Sequence, residues 1–216
     1  RRVLIYNRDR SRQLINAEEV AAQLRLRLPA LASLAAAGAA GVAGTANAAG
    51  TVAAAVRWEV DVMLHSNARH PCELVQRLHE VDVLVTPHGF QSMMILFLQP
   101  GAVLFELYPY KYYKLGYKAL APATGVRYEF AMSEPQTLRH KLLLHYISTE
   151  RCMSFYFCRS FARSDNVRMS DADVERVVAL AGVSARRASG TPRRRRMQQR
   201  LPAAGAVAGA AATGAG

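Results

Sequence analysis

The sequence predicts an α/β protein in which helices cover both faces of a parallel sheet. Short apolar runs rich in Val, Ile and Leu alternate with segments of helical periodicity, and this alternation is typical of a parallel sheet. Pro and Gly residues separate many of these segments. Apolar residues make up 51% of the 216 residues, which is enough for a sizeable core. The longest apolar run is dominated by Ala and Gly, so a polytopic membrane protein is excluded.

The first strand and the first helix are predicted near the amino terminus. Residues 3–6 form a short β-branched apolar run, and residues 7–12 form a polar, basic turn. Asn16 is predicted to be the N-cap of a helix, with Glu19 at the third helical position, close to a capping box. That helix is expected to end at Pro29. The Ala/Gly-rich residues 30–55 are expected to be an insertion in a surface loop, flexible or partly helical.

The alternation then continues to the end of the folded part. Strands are predicted over residues 56–62, 81–85, 102–107 and 126–130, and helices over residues 71–79, 92–98, part of 109–120, and 170–180. Residues 133–168 carry only weak signals. Residues 184–216 are basic and then Ala/Gly-rich, and we expect them to be disordered. The folded domain should therefore span residues 1–183.

The positive charge is concentrated in the carboxyl-terminal tail. Seven arginines lie between Arg186 and Arg200, and without them the formal net charge falls from +12 to +5. Such a tail is typical of a solvated arm, although it is also suited to bind nucleic acid or an acidic membrane face. The rest of the chain has no signature of a nucleic-acid-binding module, so no nucleic-acid partner is expected.

The chain has three cysteines, and this odd number does not suit a disulfide framework. Cys152 and Cys158 are able to pair in an oxidising compartment. No two cysteines have the spacing of a structural zinc site, and no metal site is predicted. The sequence contains no GxGxxG motif, P-loop, GxSxG motif or HExxH motif. The motifs typical of dehydrogenases, kinases, hydrolases and zinc proteases are therefore absent from it.

Two predicted loops carry polar side chains at the carboxyl ends of strands, where ligands bind in sheets of this type. Arg8 and Arg12 follow the first strand and precede a helix, which is an arrangement that binds anions. His88 and Gly89 end the strand over residues 81–85. His88 is able to donate to a phosphate or orient a sugar, Gly89 permits close approach of a ligand, and Ser92 is predicted to cap the following helix. The alternatives are a solvated basic turn and a turn histidine bonded to the backbone.

A carboxylate interrupts the apolar strand over residues 102–107. Glu106 needs a partner in such a strand, because an unpaired buried charge is costly. Ribose hydroxyls of a nucleotide would satisfy it, and so would an ion pair with Lys111 or Lys114. The Tyr- and Lys-rich residues 108–118 either hold a base or a phosphate or form an amphipathic surface segment.

Three segments together resemble glycosyltransferase family 61: LIYNRDRSRQLINAEEV, EVDVLVTPHGFQSMMILFLQPGAVLFELYP and YKALAPATGVRYEF. The family includes plant xylan-decorating xylosyl- and arabinosyltransferases and animal O-GlcNAc transferases of the secretory pathway. Its two motifs match Arg8, Ser11, Arg12, Asn16 and Glu19, and then Asp82, His88, Gly89, Phe97, Leu98, Pro100, Gly101, Ala102 and Glu106. Phe90, Gln91 and Ser92 depart from the family's Ala-Gly-Leu. The resemblance covers roughly residues 1–130 without the Ala-rich insert.

This resemblance implies the carboxyl-terminal, donor-binding half of a two-domain GT-B transferase, a Rossmann-like domain. The enzyme would transfer a sugar from a UDP-sugar to a hydroxyl of a protein or glycan, with inversion and in a single displacement. It implies donor-binding roles for Arg8 and Arg12 on the diphosphate, His88 on phosphate or sugar, and Glu106 on the ribose, with Asn16, Gly89 and Ser92 in the same motifs. The catalytic base is expected from the other half and is not assigned, and neither a cofactor nor a metal is expected.

Location also follows only from the resemblance. Family members are type II membrane proteins of the Golgi or endoplasmic reticulum, so we expect a lumenal domain with its membrane anchor upstream of this segment. Two other functions stay open. One is a non-catalytic module on the same fold that binds a glycan or a partner, suggested by the altered loop after Gly89. The other is nucleic-acid binding through the Arg-rich tail.

Overall fold

A computed structural model describes residues 1–42, 56–66 and 68–189 of the chain. Its sheet has five parallel strands: β1 (Arg2–Asn7), β2 (Glu59–Leu64), β3 (Val83–Pro87), β4 (Val103–Tyr108) and β5 (Arg127–Met132). Their order across the sheet is β2-β1-β3-β4-β5. The predicted Rossmann-like α/β class is confirmed, and each predicted strand is present within about three residues of its expected bounds.

Helices follow the strands along the chain. They are α1 (Ala17–Val42), α2 (Pro71–His79), the 3₁₀ helix Phe90–Phe97, α3 (Gly116–Thr124), α4 (Leu138–Leu144), α5 (Thr149–Ser154), α6 (Tyr156–Arg163) and α7 (Asp171–Ser189). The prediction for α2 matches its observed bounds. The helix predicted from Ser92 is a 3₁₀ helix that begins two residues earlier.

The sheet is buried on both faces, as the continuous apolar runs predict. Alternate residues of β1 point in opposite directions: Val3 and Ile5 join the core formed with α1 and α7. Leu4 and Tyr6 join the core formed with α2, the 3₁₀ helix and α3. All four side chains are at most 2% exposed. Helices therefore lie on both faces of the sheet.

The first helix continues past Pro29 and ends at Val42, so the prediction that it ends at Pro29 is wrong. A proline inside a helix removes one hydrogen bond and crowds the preceding turn. Here Leu24 and Leu28 are fully buried just before it, and the Ala-rich stretch beyond it has high helix propensity. These contributions outweigh the local cost. Part of the predicted insertion is thus helical, and residues 43–55 lie outside the described residues.

The last helix is also longer than predicted. It reaches Ser189 instead of Leu180, so the expectation of disorder is wrong for residues 184–189. Ala181 and Ser184 are buried, and the Ser184 hydroxyl donates to the carbonyl of Gly101 at 3.3 Å. Tertiary contacts therefore extend the helix beyond its amphipathic stretch. Residues 190–216 of the predicted tail lie outside the described residues.

Three short helices occupy the segment with weak sequence signals. Helices of six to eight residues depend on caps and tertiary contacts rather than on propensity. The Thr137 and Ser148 hydroxyls accept hydrogen bonds from the first turns of α4 and α5. Cys152 and Cys158 form a disulfide that joins α5 to α6. Their apolar side chains form a third core cluster over the carboxyl end of β4.

The strand order creates a crevice between β1 and β3. The chain leaves β1 towards β2 on one side and then returns through α2 to β3 on the other side. The carboxyl ends of β1 and β3 are therefore neighbours whose following loops diverge, which is the usual ligand position in open parallel sheets. The loops after Asn7 and Pro87 both open at this point.

Candidate functional site

The loop after β1 is held in shape by Asn7, whose side chain is buried. Its Oδ1 accepts hydrogen bonds from the backbone N–H groups of Arg8 and Leu14, both at 2.8 Å. Its Nδ2 donates to the carbonyl of Leu14 at 2.9 Å. Arg12 lies in the left-handed region with φ 62°, which turns the loop back on itself. The result is a compact loop that presents Arg8 and Arg12 towards β3.

Both arginines lie against the turn that follows β3. Arg12 Nη1 donates to the carbonyl of His88 at 3.1 Å. A Cβ added to Gly89 would lie 2.5 Å from Arg8 Nη1 and 3.3 Å from Arg12 Nη1. Only glycine leaves room for the guanidinium groups here. The structure thus brings together four of the predicted site residues, although they come from loops about 75 positions apart in the sequence.

A third guanidinium group, that of Arg163 at the end of α6, lies near Arg8 and Arg12. Burial, together with the charges of Arg8 and Arg163, lowers the pKa of Arg12 to about 10. Burial and the charge of Arg163 also lower the pKa of Arg8. None of the three forms a salt bridge with a carboxylate of the described residues. An anion bound here would relieve the repulsion and accept charge-assisted hydrogen bonds.

Behind the turn, His88 is anchored to Glu106. The imidazole Nδ1 lies 2.8 Å from Oε1 of this fully buried carboxylate. The Tyr108 and Tyr128 hydroxyls lie 2.8 and 2.5 Å from Oε2 and act as donors. Burial first, and then the charge of Glu106, raises the pKa of both tyrosines, so they keep their protons. The ring of His88 also stacks on Tyr108 with centroids 4.6 Å apart.

Glu106 therefore does not have the position predicted for it. A side chain with no exposed surface and both oxygens engaged contacts neither a ribose nor Lys111 or Lys114. Ser92 does not cap a helix: it is buried inside the 3₁₀ helix and donates to Oε1 of Glu106. Glu106 contacts the His88 ring directly, and Ser92 contacts Glu106. In this structure both residues are buried in the His88 network, and the direct ligand contacts predicted for them stay predictions.

Asn16 lies away from the crevice. Its side chain accepts from the backbone N–H of Met169 at 3.1 Å and donates to the carbonyl of the same residue at 3.0 Å. Glu19 pairs with Arg168 at 2.8 Å rather than returning to the Asn16 backbone, so the expected capping box does not form. Asn16 thus joins the start of α1 to the segment before α7. A donor-binding role for Asn16 is thus not supported by its position.

A cavity of about 430 Å³ lies beside the His88–Gly89 turn, and we name it the first cavity. It has an aromatic and apolar side and a cationic side. Its walls are His88, Gly89, Phe90, Met93, Tyr112, Lys114, Gly116, Tyr117, Leu120 and Arg163. Gly116, the first residue of α3, places the amino terminus of that helix at the cavity wall. The cavity is suited to an anion that carries a flat or ring-shaped group.

The Tyr- and Lys-rich stretch divides between site and core. Tyr112 and Tyr117 line the first cavity, and burial raises the pKa of Tyr117. Tyr108 belongs to the buried network below it. Lys111 donates to the carbonyls of His145 and Ile147 and so fixes the chain after α4. Binding of a base or a phosphate by this stretch stays a prediction, and the burial of Tyr108 does not fit an amphipathic surface segment.

Two residues at the site, Arg163 and Gln91, are not among the predicted site residues. Arg163 belongs to a segment without clear periodicity, and only the fold of α4–α6 brings it to Arg8 and Arg12. Gln91 follows Gly89 directly, and it is 6% exposed. Its Oε1 has no hydrogen-bond partner among the described residues and would lie 3.1 Å from a Cβ on Gly89. A buried acceptor beside the guanidinium groups is a further contact point for a ligand.

No group of three His, Cys, Asp or Glu side chains that could hold a metal ion occurs among the described residues. In the same part of the chain, none of the helices combines the length and the apolar character that crossing a bilayer requires.

No protein-family profile matches the chain. A comparison with curated protein sequences finds no significant match.

Proposed function

We propose that this chain is the donor-binding part of a UDP-sugar-dependent glycosyltransferase similar to family 61. The observation that carries the proposal is the contact of Arg8 and Arg12 with the His88–Gly89 turn, at the crevice between β1 and β3. The resemblance predicts a diphosphate between these two loops. A GT-B architecture and the missing acceptor-side half belong to the proposal as well.

The charges and dimensions support a nucleotide ligand. Arg8, Arg12 and Arg163 form a cationic group that has no salt bridge in the described chain, where only the charge of Asp9 acts on Arg8, and a diphosphate supplies further negative charge. The first cavity, of about 430 Å³, lies within the usual range for small-molecule sites. Tyr112 and Tyr117 offer aromatic faces for a base or a sugar.

His88 has the geometry of a residue that contacts the donor. With Nδ1–H donated to Glu106, its Nε2 is left for a ligand, and the ring lines the first cavity. Nε2 accepts from a sugar hydroxyl when the ring is neutral, and it donates to a phosphate oxygen when the ring is protonated. His88 is therefore assigned to the donor phosphate or sugar, and Glu106 and Ser92 hold it in place.

The proposed reaction is a single displacement with inversion. An acceptor hydroxyl oxygen bonds to the anomeric carbon while the bond from that carbon to the β-phosphate oxygen breaks. The electron pair stays on UDP, and the hydroxyl proton passes to a base that the acceptor-side half would contribute. The guanidinium groups stabilise the charge that develops on the leaving UDP. The acceptor is a glycan or glycoprotein.

The proposed location is the lumen of the Golgi or endoplasmic reticulum, with an anchor upstream of this segment. The Cys152–Cys158 disulfide supports this, because disulfides persist in oxidising compartments and are rare in the cytosol. Cys72 is a free, exposed thiol and contributes nothing to the argument.

Nucleotide binding by the whole chain tests the proposal directly. Thermal unfolding would be followed with UDP, CDP, ADP and GDP, because a ligand present at 100 times its Kd stabilises a protein by about 2.7 kcal/mol. We expect a rise in Tm that is selective for UDP and that is lost in Arg12→Asn. Equal shifts with all four nucleotides, or none, would contradict the proposal. A positive result leads to transfer assays with UDP-sugars on the complete enzyme.

A second candidate is a binding module that has lost the donor. It is favoured by Gln91, whose side chain is buried next to Gly89 where the family has a glycine. If Gln91 blocks the phosphate position, UDP will not bind and Gln91→Gly will restore binding. If Gln91 instead contacts the donor through its free Oε1, the same substitution will weaken UDP binding.

A further inference from the structure

A second cavity of about 430 Å³ adjoins the first cavity. Tyr112, Lys114 and Arg163 line both, so a ligand in one lies directly beside a ligand in the other. The remaining walls of the second cavity come from α5 and α6: Met153, Tyr156, Arg159 and Ser160. The lining of the second cavity includes no residue of the His88–Gly89 turn, which lines the first cavity, and Arg8 and Arg12 line neither cavity.

The second cavity is cationic. Lys114, Arg159 and Arg163 line it, and no carboxylate does. In the described part of the chain, none of these three cations forms a salt bridge. A cavity with three positive charges and no counter-charge favours an anion, because the anion replaces repulsion by charge-assisted hydrogen bonds.

Arg159 is half-buried beside an aromatic ring, whereas Lys114 and Arg163 are exposed at the edge of the cavity. Arg159 donates to the carbonyl of Met153 at 3.1 Å, and its guanidinium carbon lies 5.9 Å from the ring centroid of Tyr156. Tyr112 contributes a second ring to the wall. Aromatic side chains provide flat apolar surfaces, and Arg pairs with planar carboxylates through two parallel hydrogen bonds. An acidic sugar offers both an apolar ring face and a carboxylate or sulfate.

The walls of this cavity are covalently joined. Met153 directly follows Cys152, and Arg159 directly follows Cys158, so the disulfide ties the two sides together. Such a cross-link limits how far α5 and α6 separate when no ligand is present. A preformed cavity binds with a smaller loss of conformational entropy.

We infer that the second cavity is a subsite for an acidic sugar of the acceptor, recognised through a carboxylate or sulfate group by Arg159, Arg163 and Lys114. This inference rests on the proposed function, because the first cavity must hold the donor for its neighbour to hold the acceptor. The shared wall at Tyr112 then lies between the two substrates. An acidic residue of the acceptor glycan would set which hydroxyl reaches the donor sugar.

The test measures binding of oligosaccharides to the whole chain by NMR titration, with and without saturating UDP. The probes are trigalacturonate, its neutral counterpart galactotriose, and galactose 6-sulfate, so that carboxylate and sulfate are distinguished. We expect at least tenfold tighter binding of one acidic probe than of galactotriose, with no displacement by UDP. Arg159→Gln should weaken acidic binding about tenfold and leave the Kd for UDP unchanged. Arg151→Gln, an exposed arginine of α5 outside this cavity, is the matched control.

Three results would overturn the inference. The first is equal affinity for the acidic probes and galactotriose. The second is an equal loss of acidic-probe affinity in Arg159→Gln and Arg151→Gln. The third is competitive displacement of the probe by UDP, which would make the second cavity part of the donor site. Failure of the proposed function has a different pattern. In that case the chain does not bind UDP, while an acidic probe still binds and still depends on Arg159.

Discussion

His88 and Glu106 form a buried pair at the carboxyl ends of two neighbouring strands, with Nδ1 of the imidazole 2.8 Å from Oε1 of the carboxylate. The backbone of His88 takes part as well: its N–H donates to the carbonyl of Leu107 at 2.7 Å, and its carbonyl accepts from Arg12. One residue thus connects the buried network under the sheet edge to the arginine-rich loop above it.

Substitution of Glu106 by Gln should therefore disturb both stability and the orientation of His88. The amide removes the charge that the Tyr108 and Tyr128 hydroxyls surround, and an unsatisfied buried group costs about 1–3 kcal/mol. Urea denaturation should show a loss of this size, and ¹⁵N NMR of the His88 ring should show a changed tautomer. Glu129→Gln, a partly exposed position on β5, is the control. Equal losses in the two variants would refute the special role of Glu106.

The charge of Arg12 should oppose folding and favour ligand binding. Its pKa of about 10 lies below the ordinary 12.5, so the unfolded chain binds this proton more tightly. The resulting penalty is fully present below about pH 10 and declines as the pH rises from there towards 12.5, where the unfolded chain also loses the proton. Arg12→Asn removes the charge and tolerates the left-handed backbone. We expect an unchanged or higher Tm without ligand, and UDP affinity lower by about 1.5–3 kcal/mol.

The exposed Arg10 of the same loop supplies the control for this experiment, as Arg10→Asn. Calorimetry of both variants with UDP would separate a local contact from a general loss of positive charge. The interpretation fails if Arg10→Asn weakens UDP binding as much as Arg12→Asn does.

Gly89→Ala should displace the guanidinium groups. The new Cβ would meet Arg8 Nη1 at 2.5 Å, which is closer than any contact allows, so the arginine must move. We expect UDP binding to weaken by tenfold or more and the Tm to fall as well, because the guanidinium group is displaced and the Gly89 backbone at φ 159° is strained for any side chain. Gly116→Ala, where an added Cβ meets nothing within 4 Å, controls for stability. Wild-type UDP affinity in Gly89→Ala would show that the phosphate lies elsewhere.

Asn16→Ala should reduce stability and not ligand binding. The substitution leaves the N–H and carbonyl of Met169 without their partner, at a cost of about 1–3 kcal/mol for each unsatisfied buried group. Chemical denaturation would measure that loss, and the Kd for UDP should stay at the wild-type value. Gln23→Ala removes an exposed contact of α1 with Asp171 and should cost less. A selective loss of UDP binding in Asn16→Ala would return this residue to the donor site.

The disulfide should contribute about 2 kcal/mol to stability, as loop-closure entropy predicts for a short loop. Cys152 and Cys158 are six positions apart. Cys152→Ser/Cys158→Ser should lower the free energy of unfolding by this amount and make the protein insensitive to reductant. Cys72→Ser, at an exposed free thiol, should change neither. Thiol titration of the unfolded, unreduced wild type should detect a single free thiol, and three thiols would exclude the disulfide.

Local sequence patterns located most of the sheet because periodicity and turn residues act over a few positions. The loops of Arg8 and His88 were predictable as neighbours, since both follow parallel strands and such strands end at one edge. The roles of Glu106 and Asn16 were not predictable from such local patterns. Each side chain was assigned to a ligand, and each is occupied by groups distant in sequence: Tyr128 for Glu106 and Met169 for Asn16.

The sequence by itself determined the α/β class, the strand-end positions of Arg8, Arg12, His88 and Gly89, and the presence of a carboxylate in β4. Tertiary structure alone decided which of these side chains face the crevice, that Arg163 joins them, and that two cavities share a wall. The physical reason is the range of the interactions. The strands and the cores of the longer helices follow from neighbours along the chain, whereas helix ends, short helices, and the hydrogen-bond partners and charges in a site depend on how distant segments pack.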